Sequence, residues 1–156
     1  MNSRDIVALI NADPSARRVF VGVFSRDDLP ERVCARRRSA FVINTDKKTG
    51  PGEHWVSVFF NGKGSGEYFD SFGAPPLHKN ITTFLSKNCR TYKHNSRMIQ
   101  GMLSQSCGLF VVYFIMRKSR GFSLQRLLKP FSIFNPYIND SRVRNIVQRL
   151  RGGSTI

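Results

Sequence analysis

Apolar and polar positions alternate along the chain in short blocks whose period changes from block to block. Ile6, Leu9 and Ile10 recur at helical spacing behind Asn2-Ser3, a pair suited to cap a helix, and Pro14 lies beyond the end. Val19 to Phe24 is β-branched and aromatic, as a strand requires. Ser25 to Arg38 is polar and irregular. Ala40 to Asn44, His54 to Phe60 and Glu67 to Phe72 read as three further strands, separated by a turn over Asp46 to Gly52 and a hairpin loop over Asn61 to Gly66. Leu77, Ile81, Phe84 and Leu85 return to helical spacing, and Cys89 to Ile99 is extended and strongly basic. Gln100 to Cys107 is polar and opens directly into Gly108 to Met116, which is apolar on every side. Such a run is a buried helix or a buried strand: Val111-Val112 favours the strand, while the length and the basic stop Arg117-Lys118 favour the helix. Asn139-Asp140-Ser141 is expected to cap a last helix bearing Val143, Ile146, Val147 and Leu150. Helices flanking a mixed, mostly antiparallel sheet predict one α+β domain over residues 1–156, without repeats or linkers.

Charge changes this picture most. Twenty-five Lys and Arg against ten Asp and Glu give a formal charge of +15. A field of that sign draws polyanions, nucleic acid first among them. Arg36-Arg37-Arg38 and the run holding Lys87, Arg90, Lys93 and Arg97 are the candidate contacts. A membrane partner is not expected, because no apolar run approaches the roughly 18 residues of a spanning helix. Arg4 and Asp5 beside a very short apolar stretch do not read as a signal peptide. The three cysteines, Cys34, Cys89 and Cys107, are odd in number and lack CxxC spacing, which speaks for a reducing compartment and against a disulfide framework or a structural zinc. No metal is expected.

Thiol chemistry needs a thiolate, a base to make it, a group to orient the base, and donors for an oxyanion. Cys107 stands where the buried run begins, and a helix N-terminus there would acidify it. Gly108 removes side-chain bulk where a carbonyl must approach. His54 opens a strand behind Gly50-Pro51-Gly52, and a hairpin about Asn61 to Gly66 returns Asp70 to the same end of the sheet. The carboxylate is then expected to hold Nδ1–H of the imidazole, with Nε2 toward the thiol. Gln100, seven residues before Cys107, offers a neutral amide donor. Trp55 reads as a half-buried core aromatic and also as a wall that limits water beside the ring, two roles that are compatible. Each residue alone has an ordinary reading; the order of all of them is what carries the chemistry.

From Phe20 to Met116 these residues resemble the adenovirus protease (adenain) family, relatives of the SUMO and ubiquitin-like protein proteases. The resemblance runs through Phe-Val-Gly-Val-Phe, the Phe41–Thr45 strand, Gly-x-His-Trp, Tyr-Phe-Asp-Ser-Phe-Gly and Gln-Gly-x5-Cys-Gly-Leu-Phe. The Gln100–Cys107 spacing is adenain's; the acid is Asp where adenain typically has Glu. The resemblance implies a papain-like α+β fold with the nucleophile at the N-terminus of a buried central helix. It implies a cysteine endopeptidase with Cys107 as nucleophile, His54 as base, Asp70 as third member and Gln100 as oxyanion donor. It also implies cleavage after Gly in viral precursor proteins, DNA as a cofactor, and a short activating peptide disulfide-bonded to Cys89. A monomer acting in the virion and host nucleus follows from the same source. The alternatives are a protease acting on host ubiquitin-like modifiers and a basic nucleic-acid-binding core protein without turnover. Leu150-Arg151-Gly152-Gly153 has the form of a self-processing site ahead of Ser154-Thr155-Ile156.

Overall fold

A computed structural model of the chain describes residues 1–34 and 36–152. Helix α1 (Ser3–Asn11) is followed by strands β1 (Phe20–Ser25), β2 (Ser39–Asn44), β3 (Trp55–Phe60) and β4 (Ser65–Phe69). Helix α2 (Lys79–Asn88), strand β5 (Thr91–His94) and helices α3 (Cys107–Ser119), α4 (Leu124–Leu128) and α5 (Tyr137–Arg151) complete the order. The five strands lie in the sheet in chain order, β1 to β5. The fold class is α+β, as expected. The pairings are evenly divided rather than mostly antiparallel: β1–β2 and β4–β5 are parallel, β2–β3 and β3–β4 antiparallel. Both parallel pairs arise where a long irregular or helical connection replaces a hairpin, a length that permits the crossover.

Alternation along the strands divides the core into two layers. Ala40, Val42, Phe59 and Phe69 face α1, α3, α4 and α5. Their neighbours Phe41, Ile43, Val58, Phe60 and Tyr68 face the other way, onto Ile81, Phe84 and Leu85 of α2. With both sheet faces covered, the central strands read as continuous apolar runs. Helix α3 passes through the larger layer. Every side chain from Phe110 to Met116 is fully buried, which settles the ambiguous run as a helix that is apolar all round because protein surrounds it. Phe114 stacks on Phe69 with ring centroids 4.7 Å apart, tying the helix to the strand that ends beside Asp70.

Polar residues correct several expectations. Asn2 caps α1 in a reciprocal box with Asp5, as its position suggested. The last helix begins at Tyr137 behind Pro136, two residues before the expected cap. Pro136 already holds a helical φ of −62°, so the turn starts there. Asn139 is fully buried instead; its amide donates to the carbonyls of Ile99 and Ser132, bracketing two loops. Lys118, read as a basic stop, is buried and paired with Glu67 at 2.8 Å. The cleavage point of the expected self-processing site, after Gly153, lies outside the described residues. Leu150, its aliphatic member, is buried in the core.

Candidate active site

His54 stands one residue ahead of β3, and its placement begins in the loop before it. Asn44 Oδ1 accepts the N–H groups of Asp46 and Glu53, and the Asp46 carboxylate accepts that of Gly52. Gly52 supplies the positive φ of +93° that this tight return requires. The His54 carbonyl then accepts Thr45 N–H at 2.9 Å, so the ring is set at the sheet's edge by backbone on both sides.

Asp70 follows β4 directly and is buried. The register pairing Phe69 with Ser57 returns it to the end of the sheet where His54 waits. Its Oδ1 accepts His54 Nε2–H at 2.8 Å and Phe72 N–H at 2.8 Å. Asn95 clamps the Asp70 backbone from the next strand's end, its Oδ1 accepting the N–H at 3.0 Å and its amide donating to the carbonyl at 2.6 Å. Phe72 lies against the imidazole, ring centroids 4.8 Å apart. Trp55 lines the same cleft and packs partly buried against the core, and its indole N–H donates to the Met1 carbonyl.

The ring orientation is the reverse of the expectation. Nε2 is taken by the buried carboxylate, which leaves Nδ1 for Cys107, the thiol that shares the cleft with His54. Cys107 is the first residue of α3, as predicted, and half-buried. Burial works against its ionisation, but hydrogen bonds from His54 and from the backbone at Trp55 and Gly108 outweigh it and hold the thiol below its ordinary value. Burial likewise disfavours a charged His54, yet its bonds to Asp70 and Cys107 raise its pKa to about 9. The two shifts point the same way, toward a thiolate–imidazolium pair.

Gln100 is buried, lining the same cleft of about 1240 Å³ as His54, Asp70 and Cys107. Its Oε1 accepts Ser71 Oγ–H at 2.6 Å, and its Nε2 donates to the Ser104 carbonyl at 2.7 Å. The space over Gly108 is not open: a Cβ there would lie 2.9 Å from the Met1 sulfur. Ser71, Phe72, Asn95 and Met1 belong to the site and were missed. Asp-Ser-Phe was in view as a motif, but Asn95 reaches Asp70 across 25 residues, a partnership no local pattern announces.

The remaining candidates lie elsewhere. Arg36, Arg37 and Arg90 gather around the β3–β4 loop: Gly62 packs on the Arg36-Arg37 backbone and Gly64 on the Arg90 guanidinium. That loop follows Phe60, at the end of β3 opposite His54. Arg38 is spread over the Phe59 ring and bonded to the Lys118 carbonyl. Lys87 pairs with Glu31 at 3.0 Å, Arg97 reaches the Phe131 carbonyl, and Lys93 is exposed on β5. Cys89 ends α2 as a free, half-buried thiol.

A thiol on a helix N-terminus, an imidazole at the neighbouring strand and a buried carboxylate behind it are groups that thiol-dependent acyl transfer can use. The chain is similar to the protease of human adenovirus A serotype 12, with 27% identity over 111 residues, 62% of this chain and 53% of that protein. It is also similar to a cysteine protease of African swine fever virus, with 53% identity over 38 residues, 22% of this chain and 14% of that one. The chain thus spans about half the length of the first and less of the second. Among solved structures, the central domain of an uncharacterized Legionella pneumophila protein shares the fold, with a TM-score of 0.56 and 19% identity over 98% of this chain and 96% of that one. A crystal structure of the African swine fever virus protease aligns with a TM-score of 0.47 and 23% identity over 68% and 42%. No protein-family description matches the chain. In sequence the chain is thus similar to viral cysteine proteases, the adenovirus protease among them.

Proposed function

We propose that this chain is a cysteine endopeptidase of viral or virus-like origin that cleaves structural precursor proteins after Gly. The observation that carries the reading is the Asp70–His54 hydrogen bond of 2.8 Å in the same cleft as Cys107, with the thiol at the head of α3. In the first half-reaction the Cys107 proton rests on His54 and the thiolate attacks the scissile carbonyl carbon. The oxyanion takes a hydrogen bond from Gln100 Nε2 and one from the backbone at the helix start. His54 then gives its proton to the leaving amine as the carbon–nitrogen bond breaks, leaving a thioester. Water, deprotonated by His54, attacks the thioester; the acid product leaves and the thiolate returns. Asp70 holds the ring throughout and stabilises its charged form. A fluorogenic peptide with Gly on the acyl side of the cut should be hydrolysed by the wild type and not by Cys107→Ala. Equal hydrolysis by both would reject the reading, and preference for a ubiquitin-like tail would move it to the modifier proteases.

The proposal extends to a monomer in the virion and host nucleus that uses DNA and an activating peptide as cofactors. The charge of +15 and the grouping of Arg36, Arg37 and Arg90 support a polyanion site away from the cleft. Its affinity should fall steeply as salt rises; a flat response would remove DNA from the proposal. A disulfide between Cys89 and a peptide thiol would require Cys89 to leave its hydrogen bond to the Leu85 carbonyl.

A further inference from the structure

Gln100 can serve an oxyanion only if its amide faces the thiol nitrogen-first. The two ends of a primary amide have the same shape, so packing alone does not select between them; hydrogen-bond polarity does. The Ser104 carbonyl, which can only accept, supplies that polarity by claiming Nε2, and Ser71 anchors the oxygen at the other end. Its side chain is fully buried, and its hydroxyl donates to Gln100 Oε1 at 2.6 Å. Its backbone carbonyl also accepts the N–H groups of Ile99 and Gln100, so one residue holds both the main chain and the amide oxygen. On the other side, one Nε2 hydrogen goes to the Ser104 carbonyl at 2.7 Å. The second Nε2 hydrogen is left for the cleft. Ser71 follows Asp70 directly, and Asn95 clamps the turn through the Asp70 backbone. One buried dipeptide therefore delivers a carboxylate to the imidazole and a hydroxyl to the amide.

We infer that Ser71 is a positioning residue that orients Gln100 as the oxyanion donor. The inference rests on the peptidase reading above. Losing its hydroxyl leaves Oε1 buried without a donor, so the amide is no longer anchored at the position from which its second N–H meets the oxyanion. Ser71→Ala should lower kcat by about tenfold to a hundredfold, short of the 10²–10³ of losing a donor outright, with KM within about twofold. Ser71→Cys, which keeps a side chain of the same connectivity but donates weakly, should fall in the same direction. Alkylation of Cys107 by iodoacetamide needs no oxyanion hole, so its rate and pH profile should not change in Ser71→Ala; damage to the fold would move both. Adding Ser71→Ala to Gln100→Ala should cost nothing further. A kcat within twofold of wild type in Ser71→Ala, or losses that multiply in the double variant, would overturn the inference. If the wild type hydrolyses no peptide, the peptidase reading fails by itself. The Gln100 side-chain amide resonances still decide Ser71's part, shifting in Ser71→Ala if it holds the amide and unmoved if it does not.

Discussion

Two of the three thiols sit at opposite ends of helices, and their surroundings drive them in opposite directions. Cys107 begins α3, beside an imidazole, where the helix dipole and converging N–H groups favour negative charge. Cys89 follows the last turn of α2, where its thiol donates to the Leu85 carbonyl at 3.2 Å. Burial pushes the Cys89 thiol up, and a backbone bond at Gly66 does not offset it. Both are half-buried, so exposure does not separate them. Position on the helix and one histidine do. A thiol is made reactive by what can stabilise its anion, and only one of these two has that company.

The largest effect should come from removing the difference at its source. His54→Ala is expected to lower kcat by about four orders of magnitude and to make Cys107 label as slowly as Cys89 near pH 6. Rapid labelling of Cys107 in that variant would mean the helix terminus alone acidifies it. Asp70→Asn, which keeps the shape but not the charge behind the ring, should cost about 10³–10⁴ in kcat. It should also bring the His54 pKa down toward its ordinary value, measurable by titrating the ring's NMR signals.

The pH profile sharpens the contrast further. Turnover should fail at low pH, where the Cys107 thiolate is protonated, and again as His54 loses its proton near pH 9. For stability the sign is that of a raised folded-state pKa. The charged His54 contributes fully below its unfolded value of 6.5, and the contribution is lost as pH rises through about 9. An alkaline limb near pH 7 would show that Asp70 and Cys107 do not hold the proton there. The smallest effect belongs to Cys89→Ser, which should leave peptide turnover within about twofold in the absence of any activating peptide, since Cys89 does not line the cleft. A large loss would couple the end of α2 to the site.

What could be read from sequence followed from what is local. The His54 strand, the Asp70 return and the Cys107 helix start each announce themselves within a few residues, through period, turn chemistry or an abrupt apolar run. Their convergence follows from one hairpin. The ring orientation did not follow, because it depends on how deep Asp70 lies relative to His54, a matter of packing around Phe72 and Asn95. Asn139 has the chemistry of a cap and would be one on an isolated helix; burial against Ile99 and Ser132 makes it a bracket instead. Gly108 offered empty space on paper, and Met1 fills it from a residue more than a hundred positions away. Ser71 was visible as a motif letter, but its hydroxyl acquires meaning only beside Gln100.

The most direct test is to catch the acyl-enzyme. Mixing the protein with an activated ester of a short peptide ending in Gly, quenching in acid and reading the intact mass should reveal one added acyl group. Peptide mapping should place it on Cys107, with none on Cys89 and none in Cys107→Ala. Steady hydrolysis of the ester with Cys107 unmodified at every quench time, or acylation of Cys89 at the same rate, would contradict the account.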